Sequence, residues 1–260
     1  MREIVEGVGQ WCLHGVRRLG YGTRFFCTVL SKTPFALRRF GLVVDQIHFI
    51  GNYSLLIILV SGLFIGFVLG LQGYYTLETY GSEELLGRLV ALSLVRELGP
   101  VMTGLLYAGR AGTSLTAEIG LMKAGEQLSA MEMMAVDPVA RVFAPRFVAG
   151  VISVPILSLL FSAIGMFGAY LIGVALVGID AGAFWSQTRA GVDVLRDIGN
   201  GVLKSVVFGI AVTFIALYQG FEADPTPEGV SRATTRTVVS SSLTVLGLDF
   251  ILTALMFGGR

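Results

Sequence analysis

The chain has 260 residues, of which 54% are hydrophobic and 14% are charged, whereas an average soluble domain is about 25% charged. This composition favours a membrane protein over a water-soluble enzyme domain. The 18 acidic and 19 basic residues nearly cancel, and no basic tract indicates a nucleic-acid partner.

Residues 1–45 predict an N-terminal amphipathic segment. Apolar side chains such as Ile4, Val8 and Trp11 recur there at helical spacing, which is typical of a helix that lies in the membrane interface. Pro34 predicts the start of a second short helix, because proline is favoured at the first helical position. The alternative of an ordinary surface helix that packs on a partner stays open.

Residues 46–260 predict an all-α integral membrane domain with five transmembrane helices. The stretch 46–77 carries no formal charge and would be about 48 Å long as a helix, against a hydrocarbon core of about 30 Å. Within it, Gly62, Gly66 and Gly70 predict a close contact with another helix. The predicted spans are about 46–77, 85–109, 147–179, 198–221 and 237–258.

The basic residues predict the orientation of these spans. Thirteen Lys and Arg lie in residues 1–45 and in the second and fourth connections, whereas the opposite side has Arg189, Arg196 and Arg260. Because basic loops are retained in the cytoplasm, we expect a cytoplasmic N-terminus and a C-terminus on the outer side, which is the periplasmic side if the family resemblance given below holds.

The second connection predicts a short amphipathic helix, Glu118 to Val136, on the cytoplasmic side. Methionine offers an adaptable apolar contact surface, and an amphipathic helix of this kind suits docking into a groove of a partner. A helix that lies flat on the lipid is the alternative. The candidate docking residues are Glu118, Glu126, Met131, Glu132 and Met134.

Four charged residues interrupt the predicted spans: Arg96, Glu97, Lys204 and Asp249. Charges at membrane depth are costly and therefore indicate function. Arg96 and Glu97 are neighbours and point apart on a helix, so we expect partners from other spans, with Glu97 pairing to Lys204 or Arg96 to Asp249. A purely structural role and a role in gating or headgroup contact both stay open.

No catalytic or metal-binding motif occurs in the sequence. The GxxxxGK[ST] phosphate loop, the HExxH and CxxC metal patterns and any nucleophile–base spacing are all missing. The chain therefore is predicted to be a non-catalytic subunit that cannot hydrolyse ATP by itself.

Two long separated stretches resemble the MlaE-type permeases, the membrane subunits of ABC systems that move phospholipids between the envelope membranes of Gram-negative bacteria. The first stretch contains RELGPV, AGRAG, TAEIG and EQLSAMEMMAVDP between residues 96 and 138, and the second contains SRATTRTVV and LGLDFILTALMFG between residues 231 and 258. The resemblance covers nearly the whole chain, and it implies an inner-membrane permease domain in residues 46–260 that helps to maintain outer-membrane lipid asymmetry.

The resemblance also implies an assembly and a set of site residues. It implies a homodimer with a phospholipid cavity between the subunits, two copies of an ATPase that binds ATP and Mg, a STAS-domain protein, and a hexameric MCE-domain protein on the periplasmic side. No cofactor is expected in this chain. Leu69, Leu77 and Tyr80 would line the cavity, the four intramembrane charges would form a polar network beneath it, and the helix from Glu118 to Val136 would couple to the ATPase.

A proton-coupled secondary transporter that uses Glu97 and Asp249 is the alternative function. Acidic groups in membrane spans often relay protons. However, the sequence shows no internal repeat, whereas many secondary carriers are built from repeats. Dependence on an ATPase discriminates the two functions.

Overall fold

The computed structural model describes the backbone of residues 2–257 and the side chains of residues 17 and 20–256. Helices are the only regular elements in this part of the chain, which confirms the predicted all-α class. The α-helices are α1 (Arg2–Arg38), α2 (Phe40–Ile47), α3 (Tyr53–Glu78), α4 (Leu86–Ser93), α5 (Gly99–Tyr107), α6 (Thr113–Ala124), α7 (Gln127–Met133), α8 (Ala144–Tyr170), α9 (Ala181–Gly191), α10 (Gly199–Glu222) and α11 (Pro227–Phe257).

Short π-helical segments join several of these helices into longer continuous rods. They are His48–Asn52, Leu94–Leu98, Ala108–Gly112, Val139–Phe143, Leu171–Leu176 and Val194–Ile198. Because the backbone stays helical through each of them, its polar groups remain hydrogen-bonded within the rod, as a lipid environment requires. A 3₁₀ turn, Glu83–Leu85, precedes α4.

Five of the described rods are long and apolar enough to cross a membrane, which confirms the predicted number of spans. We call them the first to fifth spans: Phe40–Glu78, Glu83–Ala124, Val139–Leu176, Val194–Glu222 and Pro227–Met256. Between the third and fourth spans, α9 packs on α4, and Phe184 of α9 is fully buried there.

The second span is longer than its sequence predicts. The small residues after Gly109 were expected to begin a loop, but the π-helical segment Ala108–Gly112 carries the helix on into α6. The single helix predicted from Glu118 to Val136 is therefore wrong, because its first part belongs to the second span.

A separate short helix begins only after Gly125. The chain breaks there because Glu126 adopts a left-handed backbone conformation, with φ of 55°, which an α-helix does not allow. The separate helix α7 then runs over Gln127–Met133 only.

The N-terminal helix α1 does not end at Pro34, so the prediction of a new helix at that residue is wrong. Val29 and Ala36, on either side of the proline, are each only 1% exposed, and α1 packs along α8 and the segment before it. This packing holds the helix together where proline removes a backbone donor.

The first and third spans make the closest contact between rods. An added Cβ at Gly66 would collide with the backbone oxygen of Gly165, and one at Gly62 or Gly70 would lie about as close to Phe161 or Ala169 as atoms can approach. The prediction that these glycines form a helix-packing ridge is confirmed.

A polar contact joins the ends of the second, fourth and fifth spans. The Thr116 hydroxyl lies 2.8 Å from the Thr237 hydroxyl and 3.0 Å from the Ala216 carbonyl oxygen. All three residues are buried, so α6, α10 and α11 are joined by hydrogen bonds where water is excluded.

Candidate functional site

A buried lysine lies between two carboxylates that come from other spans. The Lys204 ammonium on α10 donates to Glu97 Oε2 at 2.6 Å and to Asp249 Oδ1 at 3.0 Å. Its third proton goes to the Thr253 hydroxyl at 2.7 Å. We call Glu97, Lys204, Asp249 and Thr253 the charged cluster.

The three charged side chains of the cluster differ in their exposure. Lys204 is completely buried, whereas the side chains of Glu97 and Asp249 are 37% and 22% exposed. All three protons of the ammonium are therefore used inside the protein, and Glu97 is the member best placed to meet a ligand. The predicted pairing of Glu97 with Lys204 is confirmed.

The neighbouring arginine has a different partner from the one expected. Arg96 Nε donates to Asp197 Oδ1 at 2.8 Å, and Nη2 lies 2.7 Å from the same oxygen. The expected pairing of Arg96 with Asp249 is wrong, because the carboxylate that Arg96 contacts is that of Asp197. Arg96 and Glu97 diverge within the π-helical segment Leu94–Leu98, as their adjacency predicts.

Asp197 and Thr253 are site residues that the sequence interpretation missed. Asp197 is 1% exposed and also accepts the backbone N–H of Asp193 at 2.9 Å. The sequence interpretation assigned Asp197 to a loop. Two signals could have identified it: Asp197 directly precedes the apolar run of the fourth span, and Arg96 required an anionic partner. Thr253, four residues after Asp249, was available from helical spacing alone.

Among the described residues, the site contains one more carboxylate than cation. Glu97, Asp249 and Asp197 face Lys204 and Arg96 across the second, fourth and fifth spans. Since isolated charges in an apolar interior cost several kcal/mol each, the pairing explains how these spans tolerate five ionisable groups.

The three residues expected to line a lipid cavity occupy two different environments. Leu69 and Leu77 are partly buried and pack against the main core. Tyr80 is 78% exposed and borders an open groove together with Tyr75 and Thr76. Their role in a cavity between two subunits stays a prediction.

The candidate docking residues are also divided by the structure. Glu126 and Glu132 are exposed, and so is Met134, at 68%. Met131, in contrast, packs against a second core cluster that includes Val29 and Leu128. The exposed surface around α7 also includes Met133, which is 83% exposed. The sequence interpretation did not name this residue.

Glu118 is held within the spans instead of on the α7 surface. It accepts from Nη2 of Arg146 and forms an ion pair with it. Arg146 also donates to the Val142 carbonyl oxygen at 3.1 Å. This contact joins α6 to α8.

One ion pair connects the N-terminal helix to the connection after α7. Lys32 Nζ lies 2.9 Å from Asp137 Oδ2. The hydrogen bond from Lys32, together with the backbone N–H of Val139, holds the pKa of the Asp137 carboxyl below its usual range. The pair therefore fixes α1 beside the loop that carries α7.

Comparison with known proteins gives a consistent family. A family model described as "Permease MlaE" matches residues 43–255. The chain is 58% identical over 257 residues to the intermembrane phospholipid transport system permease protein MlaE of Haemophilus influenzae, with 98% of each chain covered. It is 37% identical over 258 residues to a probable ABC transporter permease protein of Rickettsia typhi, again with 98% of each chain covered.

A plant relative is more distant. The chloroplastic protein TRIGALACTOSYLDIACYLGLYCEROL 1 of Arabidopsis thaliana is 30% identical over 218 residues, which are 83% of this chain and 61% of that protein.

Proposed function

The chain belongs to the MlaE permease family, and we propose from this membership that it is the membrane subunit of an ATP-driven transporter that moves phospholipids between the inner and outer membranes. In this role it would maintain the lipid asymmetry of the outer membrane. The Haemophilus relative carries this transport function in its name and aligns over 98% of both chains.

The observation that carries the proposal is the buried lysine of the charged cluster. Lys204 joins the second, fourth and fifth spans through two carboxylates, and charges of this kind inside membrane spans mark substrate pathways. A rearrangement of these spans would have to break or exchange these bonds. The cluster is therefore suited to link the position of the spans to the passage of a lipid.

Purified complex provides the direct test. We expect phospholipid to co-purify with the complex, identified by mass spectrometry of the extracted lipid, and to move between donor and acceptor vesicles only when ATP is hydrolysed. A complex that carries no more phospholipid than an unrelated membrane protein, and transfers none with ATP, would overturn the proposal.

The proton-coupled alternative receives no support from the cluster. Glu97 and Asp249 both hold Lys204, and the relatives include proteins named as ABC transporter permeases. Transfer that follows a pH gradient without ATP would revive this alternative.

We place the N-terminus and the connection that carries α7 in the cytoplasm, because thirteen Lys and Arg lie on that side and three on the other. Ser82→Cys and Ser129→Cys form a matched pair for the test, in a chain whose Cys12 and Cys27 are replaced by serine. A membrane-impermeant maleimide should label the first from outside and the second only after the inner membrane is opened. Labelling of Ser129→Cys from outside, and of Ser82→Cys only after the inner membrane is opened, would show that the topology is the inverse of the proposed one.

We assign the docking of the ATPase, which would supply the ATP and Mg site, to the exposed surface around α7. Glu126 and Glu132 offer negative charge there, and Met133 and Met134 offer adaptable apolar contact. Glu126→Lys should weaken co-purification of the ATPase while the protein still inserts. Glu84→Lys, an exposed charge reversal at the other end of the spans, is the control, and equal retention of the ATPase by both variants would sink the assignment.

We propose a homodimer that binds two ATPase copies, a STAS-domain protein and an MCE-domain hexamer on the periplasmic side. The fifth span supports a further partner in the membrane, because only 11% of its most apolar stretch is buried, against 56% for that of the third span. Phe250 is 76% exposed on that span. A Phe250→Cys variant should form a disulfide-linked dimer in membranes, whereas Leu56→Cys, which is 74% exposed on the first span, serves as the comparison.

A further inference from the structure

Arg110 is an intramembrane cation with a site different from the charged cluster. It lies in the π-helical segment Ala108–Gly112 of the second span. Its Nη1 donates to the Ile50 carbonyl oxygen and to the Ser54 hydroxyl, both at 3.3 Å. Its guanidinium carbon lies 5.2 Å from the centre of the Tyr53 ring.

All of these partners are uncharged. Among the described residues, Arg96, Arg146 and Arg232 each form an ion pair with a carboxylate, whereas Arg110 forms none. Its Nε and Nη2 donate no hydrogen bond within the described part of the chain. Three N–H donors of a planar guanidinium therefore remain for an anion, in the fork geometry that matches phosphate.

Two independent distances place this arginine at the level of lipid headgroups. Ser54 lies about 36 Å along the first span from its far end at Glu78, and Arg110 lies about 40 Å along the second span from its start at Glu83, at about 1.5 Å per residue. The hydrocarbon core is about 30 Å thick and the bilayer with its headgroups about 40–45 Å. With Glu78 and Glu83 taken as the opposite surface of the bilayer, these lengths put the guanidinium in the headgroup layer on the side of α7.

The surroundings of Arg110 are open and aromatic. An added Cβ at Gly109 would meet nothing within 4 Å. Tyr53 is 62% exposed and Phe49 is 38% exposed, as is typical of aromatic side chains at the membrane interface. The partner segment His48–Asn52 is also π-helical, and such segments are frequent at functional sites.

We propose that Arg110, together with Tyr53 and Ser54, binds the phosphate group of a phospholipid in the leaflet on the side of α7. The free Nε and Nη2 donors would hold two phosphate oxygens while Nη1 keeps its bonds to the first span. Under the orientation given above this is the cytoplasmic leaflet, so the site would engage a lipid about 20 Å along the second span from Glu97 of the charged cluster. The choice of a phospholipid as the ligand rests on the proposed function.

The test is photo-cross-linking of the full-length protein in proteoliposomes of phosphatidylethanolamine and phosphatidylglycerol that contain a trace of phospholipid with a photoreactive headgroup. Cross-links to residues 49–54 and 108–113 are quantified by peptide mass spectrometry. Because a charged hydrogen bond contributes about 1.5–3 kcal/mol, Arg110→Gln should lower cross-linking there about 10- to 100-fold. Arg110→Lys keeps the charge without the fork and should lose less, so it remains informative if the glutamine variant does not fold.

Three controls make the outcome specific. Arg232→Gln removes an exposed arginine on the same side and should leave the cross-links unchanged. A diacylglycerol with the same photoreactive group but no phosphate should not label the site, and added inorganic phosphate should not compete. Unchanged labelling in Arg110→Gln and Arg110→Lys would show that Arg110 only ties two spans together, and competition by inorganic phosphate would make the site one for free phosphate.

The assay needs neither ATP nor transfer, so it separates this inference from the proposed function. Labelling that depends on Arg110 in a complex that transfers no lipid would support the site and contradict the transporter. Lipid transfer without labelling at the site would support the transporter and contradict the Arg110 site.

Discussion

Lys204 and Arg110 are both cations inside long apolar rods, yet the protein treats them in opposite ways. Lys204 is fully buried and uses all its donors on Glu97, Asp249 and Thr253. Among the described residues, Arg110 is held by a carbonyl, a hydroxyl and an aromatic ring, without a carboxylate. A cation that is paired inside the protein can act only when its ion pairs are broken, whereas a cation with no anion among the described residues can act by binding an anion.

The largest expected effect comes from removing the paired cation. Lys204→Met leaves Glu97 and Asp249 close together without a counter-charge, which in buried pairs costs about 3–5 kcal/mol. We expect a large loss of yield and a lower free energy of unfolding in detergent titrations. Stability equal to that of the unmodified protein would show that the carboxylates do not depend on Lys204.

The second effect concerns the neighbouring pair. Arg96→Leu strands Asp197, which is 1% exposed, and should be nearly as damaging. The double change Arg96→Leu with Asp197→Leu removes both charges, and apolar replacement of a buried pair is often neutral or stabilising. Yield and thermal stability of the double variant should therefore recover, and a double variant worse than the single would argue against a direct pair.

A smaller effect is expected at Arg110. Arg110→Gln loses two long hydrogen bonds to neutral groups and strands no carboxylate in the part of the chain that the structure describes, so the cost to stability should be about 1 kcal/mol. The same detergent titration measures it. A loss as large as that of Lys204→Met would mean that Arg110 has an internal role comparable to the charged cluster.

The smallest effect is that of the surface pair between Lys32 and Asp137. Because contact with Lys32 lowers the pKa of Asp137, the pair stabilises the fold above the unfolded carboxyl pKa of about 3.9. This stabilisation is lost as the pH falls through the lowered folded pKa. Both side chains are about 40% exposed or more, so Lys32→Met should cost about 0.2–0.5 kcal/mol at neutral pH and nothing at low pH, measured as the shift in melting temperature. A cost that persists at low pH would contradict this origin.

The sequence predicts the all-α class and the five spans because long uncharged runs and spaced glycines are local signals. It also predicts that Glu97 finds Lys204, since both must be neutralised in lipid. It does not predict Asp197 or the extent of the second span, because these depend on contacts between distant parts of the chain. The charge of Glu118 favoured a loop assignment, and only its contact with Arg146 shows that it lies within the second span.

The role of Arg110 was missed for a similar reason. Its charge marks the end of the predicted span, and only the three-dimensional contact with residues 50–54 shows that the helix continues past it. Once that contact is known, it is also clear that the described partners of Arg110 include no anion.

We propose that the charged cluster takes part in lipid transport and is not only structural. Glu97→Gln tests it most directly, because the amide keeps the shape and a hydrogen bond to Lys204 while Asp249 still balances the charge. The measurement is ATP-dependent phospholipid transfer by the reconstituted complex, alongside its yield and its ATP hydrolysis. We expect normal yield and continued ATP hydrolysis, with transfer reduced about tenfold or more, equivalent to about 1.4 kcal/mol. Full transfer by a well-folded Glu97→Gln complex would contradict it.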